Sequence, residues 1–122
     1  MSDVKIELGG ISYNMRPSYG AMRDIEARTD YTVSELLDLV LAQRIKIQEA
    51  VLIVWYACQA ADEQFDSIEA VGDVLFSERL TKPALRESLS KFLLGCLWAP
   101  AAAKKKFDEE VAPILLSLDA HG

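Results

Sequence analysis

The chain has 122 residues, 51% hydrophobic and 26% charged, the proportions of one ordinary globular domain able to bury a core. Nineteen acidic residues against thirteen basic ones give a net charge of −6, which argues against gripping nucleic acid through displaced counterions. No apolar run approaches the roughly 20 residues of a membrane-crossing helix, and Met1-Ser2-Asp3-Val4-Lys5 lacks the basic-then-apolar opening of a signal sequence, so a cytoplasmic location is expected.

Alternation opens the chain. Val4, Ile6 and Leu8 are separated by Lys5 and Glu7; beyond Gly9-Gly10, Ile11, Tyr13 and Met15 are separated by Ser12 and Asn14. Period-two alternation about a glycine pair predicts a β-hairpin, because glycine supplies the positive φ of a tight turn. Lys5, Glu7, Ser12 and Asn14 form the expected wet face. The other face needs cover from the helices that follow, since a lone two-stranded ribbon is marginal in water.

From Pro17 the period becomes helical. Ser18 is the expected N-cap of a first helix to about Arg28, with Tyr19, Met22, Ile25 and Glu26 on neighbouring turns. Thr32-Val33-Ser34-Glu35 is a capping box opening a second helix, with Leu36, Leu37, Leu39, Val40 and Leu41 inside and Gln43-Arg44 as its break. A third helix runs from about Ile47 to Ala61 through Val51, Leu52, Val54, Trp55 and Cys58. It is apolar on nearly every side, which places it at the centre of the bundle.

After the polar connection 62–66, Asp66 with Glu69 repeats the capping pattern for a fourth helix to about Glu78, with Ile68, Val71, Val74, Leu75 and Phe76. Thr81 is the expected cap of a fifth, where Pro83 is harmless in the first turn. Leu85, Leu89, Phe92, Leu93, Cys96 and Leu97 form its inner face, up to a stop at Trp98-Ala99-Pro100. The segment from Ala101 to Asp119 is helical in pattern, and Pro113 is expected to kink or divide it. The fold class is α+β, mainly helical, in a single domain over 1–122: a hairpin over 1–16, then a bundle of five to six helices over 17–119.

Groups suited to catalysis are scarce. The single histidine, His121, is next to the last residue, which leaves no Ser-His-Asp, Cys-His or histidine-ligated metal arrangement within the chain. No enzymatic activity, metal or cofactor is expected. Cys58 and Cys96 lie in strongly apolar stretches, without the number or spacing of a disulfide scaffold or metal site, and read as buried thiols. Counted from Asp62, a calcium loop needs glycine and glutamate where Ser67 and Asp73 stand, so 62–66 reads as a solvated loop. Asp24 and Glu26 point in different directions on a helix, and Glu26 is expected to turn inward and pair with Arg16 or Arg23. Gly9-Gly10 precedes no helix N-terminus and is no phosphate loop. Lys104-Lys105-Lys106, the only basic run, reads first as a solvated helix face, with nucleic-acid contact as the alternative. Trp55, Tyr56, Phe92 and Trp98 continue helical apolar stripes and are expected in the core.

One stretch carries more. Ile11-Ser12-Tyr13-Asn14-Met15-Arg16-Pro17-Ser18-Tyr19-Gly20-Ala21-Met22, followed by Ile25-Glu26 and Thr29, resembles the N-terminal pattern of a family found in gene transfer agents and siphophage tail clusters. The shared outline is a strand ending in Tyr-x-hydrophobic-Arg-Pro, then Ser or Thr, an aromatic, Ala-hydrophobic, and later Ile-Glu with a threonine. It covers the hairpin and first two helices, and the remainder only by length and apolar pattern. Relatives often carry glycine after the threonine, where Asp30-Tyr31 stands here, so that turn is expected to differ.

The resemblance implies a binding role. Such tail assembly chaperones keep the tape-measure protein soluble in the host cytoplasm until tail-tube subunits polymerise around it. The partners implied are therefore the tape-measure protein, the tail tube protein or both, with self-association open and neither nucleic acid nor membrane involved. Candidate partner-binding residues are Arg16, Pro17 and Tyr19 at the strand-to-helix junction, and Ile114, Leu115 and Leu118 beyond Pro113. The structural alternatives are a turn in which Arg16 satisfies nearby carbonyls, Tyr19 and Met22 sealing the hairpin, and a C-terminal segment docked on its own core. A subunit retained in the finished particle tail, and a small regulatory or DNA-binding bundle using the lysine run, are the other readings.

Overall fold

β1 (Val4–Leu8) and β2 (Ile11–Met15) pair antiparallel about Gly9 and Gly10, whose φ values of 60° and 81° are the left-handed geometry the turn requires. Val4 stands opposite Met15, Ile6 opposite Tyr13 and Leu8 opposite Ile11, so one face carries every apolar side chain. Ile6, Leu8 and Met15 are fully buried under the helices. Two positions depart from the alternation. Ile11 is exposed although Leu8, its partner across the ladder, is buried. Asn14, on the expected wet face, is half-buried at the 62–66 loop, where its backbone N–H donates to Glu63 Oε2 at 2.6 Å.

The computed structural model describes residues 3–121, with side chains described as far as residue 118. The hairpin is followed by α1 (Tyr19–Thr29), α2 (Val33–Leu41), α3 (Ile47–Ala60), α4 (Ile68–Glu78), α5 (Pro83–Leu97) and α6 (Pro100–Lys106). A π-helical turn, Phe107–Val111, then leads without a break into α7 (Ala112–His121). The chain is thus α+β and mainly helical.

Local chemistry accounts for most boundaries. Ser18 Oγ accepts from the Ala21 N–H at 3.1 Å, and Thr32 and Glu35 exchange the reciprocal bonds of a capping box at 3.0 and 2.9 Å. Asp30 closes α1 in the left-handed conformation, φ 61°. Two caps fall one residue later than the sequence pattern suggests. Ser67, not Asp66, caps α4, its Oγ accepting from Ala70 N–H at 3.1 Å. α5 starts at Pro83, which forces an extended backbone on Lys82 and makes that residue the cap position, leaving Thr81 outside.

The bundle has two central helices where one was expected. α3 packs on α1, α4 and β2, while α5 packs on α2, β1 and the C-terminal helical segment. The hairpin is also fastened by polar contacts at its edges. Gly9 N–H donates to Glu78 Oε1 at the end of α4 (3.0 Å), and Ser88 Oγ on α5 donates to Lys5 O (2.8 Å). Leu97, expected on the inner face of α5, is exposed; so is Phe76, at the end of α4 with the Arg79 guanidinium 4.2 Å over its ring. The irregularity expected at Pro113 is the π-helical turn immediately before it, where a wider ladder absorbs the missing N–H and the ring.

Ser90, on α5, is fully buried and its Oγ makes no hydrogen bond. A buried hydroxyl without a partner costs free energy that alanine would not. Ser90→Ala is therefore expected to raise the unfolding free energy by about 1 kcal/mol, read from the midpoint of a urea titration at unchanged slope.

Candidate protein-binding cleft

The strand-to-helix junction is locked from both sides. Arg16 N–H donates to Ala57 O at 2.9 Å, tying the end of β2 to α3. Its guanidinium grips Asp3 with two bonds, Nε to Oδ1 at 2.8 Å and Nη2 to Oδ2 at 3.1 Å, and Nη1 reaches Ala60 O at 3.5 Å. The hydrogen bond to Arg16 holds the Asp3 carboxyl below its ordinary value and pushes the guanidinium up in return. Arg16 is thus held by its own chain. The expected pairing of Glu26 with Arg16 or Arg23 does not form. Val33, in the first turn of α2, has an N–H without an intrahelical acceptor, and Glu26 Oε2 takes it at 2.9 Å, while Arg23 pairs with its neighbour Asp24.

With Arg16 fixed, Pro17 is pressed against Gly95 in α5. A Cβ on Gly95 would stand 2.7 Å from Pro17 Cγ and 3.3 Å from Pro17 Cβ, so the junction can approach this closely only where α5 has no side chain. Ser18, the cap of α1, sets its backbone amide against the Cys96 thiol. α5 then ends at Trp98 in an extended conformation, φ −133° and ψ 151°, and Pro100 starts α6 in a new direction.

The space between is a cleft of about 440 Å³. Val4 and Pro17 line one side, Gly95 and Trp98 of α5 another, and Ala103 and Phe107 a third. Trp98 is 45% exposed, whereas Phe107 is buried. Lys91, Lys104 and Asp108 are the charged residues of the lining. Lys91 Nζ lies 4.9 Å from the centre of the Phe107 ring, and Lys106 Nζ lies 4.5 Å from that of Trp98. Each of these lysines also meets a carboxylate one helical turn away: Lys91 with Glu87 at 3.0 Å, Lys104 with Asp108 at 3.0 Å and Lys106 with Glu110 at 3.2 Å.

Of the residues expected to meet a partner, Pro17 lines this cleft and Arg16 buttresses it from behind. Tyr19 is 78% exposed on the first turn of α1, with Arg23 5.7 Å from its ring, and does not seal the hairpin; Met22 is the one packed on the core. The C-terminal segment divides by face. Leu115 is buried and Leu118 packs on the core, so these two dock α7 on its own bundle, while Ile114 and Leu116 point outward.

Sequence reasoning missed Gly95, Trp98, Phe107 and Lys91. Trp98 continues the apolar stripe of α5, but the helix ends at that residue and the extended backbone turns its ring out. Gly95 carried a usable signal, since glycine inside a helix costs roughly 1 kcal/mol relative to alanine and needs a packing reason.

A second, more polar hollow of about 320 Å³ lies among Trp55, Gln59 and residues 62–65. Among the described residues, no group of His, Cys, Asp and Glu side chains is disposed to hold a metal ion, and no helix is long and apolar enough to cross a membrane. The His121 side chain lies outside the described residues. No protein-family model, curated protein or solved structure matches the chain.

Alanine at Gly95 gains helix propensity but must displace a proline fixed on both flanks, and overpacking of that kind costs about 1–3 kcal/mol. Gly95→Ala is accordingly expected to destabilise, and Pro17→Ala in that background to recover part of the loss, as a double-mutant cycle by thermal or urea melting will show. The two free thiols give a second expectation. Burial pushes both Cys58 and Cys96 up to about 12 from an ordinary 9.0, with the Glu63 charge adding to the rise at Cys58 and Glu26 at Cys96. The folded state keeps these protons where the unfolded chain loses them, so their stabilising contribution is complete below pH 9.0 and is lost as pH climbs toward 12. Melting points should fall across that window less steeply in a C58A/C96A variant. A thiol reagent at pH 8 should label the native protein at least about 100-fold more slowly than the denatured one.

Proposed function

We propose that this chain is a tail assembly chaperone of the gene transfer agent and siphophage kind, which works without catalysis by holding an apolar segment of the tape-measure or tail tube protein in the Pro17–Trp98 cleft. The observation that carries this reading is a coincidence of place. The junction Tyr13-Asn14-Met15-Arg16-Pro17-Ser18, on which the resemblance rests, supplies a wall of the apolar cleft through Pro17.

Physical features of the cleft support such a role. A volume of about 440 Å³ suits one or two large side chains of a client, and a half-exposed tryptophan is the residue type that most often dominates binding energy at protein interfaces. Reversible binding favours an open apolar patch of this size over a sealed interface. The net charge of −6 keeps the unloaded protein from aggregating through its exposed Trp98, Ile114 and Leu116. Lys104 and Lys106 already face carboxylates, which favours a protein client over nucleic acid.

The test is co-expression with the tape-measure and tail tube proteins, purification through a tag on this chain, and mass measurement by light scattering. A complex with the tape-measure protein, together with absence of this chain from finished particles, is the expected result. Presence in purified particles would favour a retained tail subunit, and no complex with either client would sink the proposal. Trp98→Ala is expected to weaken the complex at least about tenfold, as for an interface hot spot, with an unchanged far-UV circular dichroism spectrum.

A further inference from the structure

We draw no further inference here: the strongest candidate, the polar hollow of about 320 Å³ that Trp55, Gln59 and the 62–65 loop form at the C-terminal end of α3, is an acidic cluster beside aromatic side chains, and nothing in the structure shows what covers it.

Discussion

The close approach of Pro17 to Gly95 fixes how the hairpin sits on the bundle. A two-stranded ribbon has no stability of its own, so Ile6, Leu8 and Met15 contribute only if the helices meet its apolar face at the right height. Arg16 sets that height on one side by donating to Ala57 in α3, and Pro17 sets it on the other by packing where α5 lacks a Cβ. Ser18 then starts α1 at once, so the last strand residue, the anchor and the helix cap occupy consecutive positions. Asp3, Glu63, Glu78 and Ser88 add polar fastenings, all to groups that would otherwise face water or lack a partner.

The same constraint opens the cleft. Because Pro17 rests on Gly95, the C-terminal end of α5 passes the junction without covering Val4, and Trp98 and Pro100 send the chain into α6 on the far side. A bulkier residue at 95 would push the two walls apart; a helix that continued past Trp98 would not return along them. The apolar lining is thus a consequence of how hairpin and bundle are joined.

Features governed by neighbours in sequence were legible without coordinates. The hairpin follows from alternation about Gly9-Gly10, and the α1 and α2 starts follow from Ser18 and from Thr32 with Glu35, since these bonds close within three residues. The failures share a cause. Glu26 binds Val33 instead of an arginine, and Asn14 is shielded by a loop far along the chain, so both depend on which elements meet in space. Trp98 is the most instructive. As part of an apolar stripe it is expected in the core, but a stripe holds only while the helix continues, and the residue that ends a helix loses that direction. The cleft combines a helix end, a helical glycine and a π-helical turn; the stop at Trp98-Ala99-Pro100 and the irregularity near Pro113 were legible, but not that they meet beside Gly95.

Charge shows the same division between composition and placement. A net charge of −6 describes the molecule seen from a distance, and it sets solubility and long-range steering. Within a Debye length of about 8 Å at physiological ionic strength, local groups decide what docks. Lys91, Lys104 and Lys106 gather at the cleft because α5 and α6 fold back on each other there, with Phe107 and Trp98 offering ring faces to two of the ammonium groups. Lys104-Lys105-Lys106 on its own reads as an ordinary wet helix face, and Lys91 carries no signal at all. Only the turn at Trp98–Pro100 brings them, with their paired carboxylates, together around apolar surface.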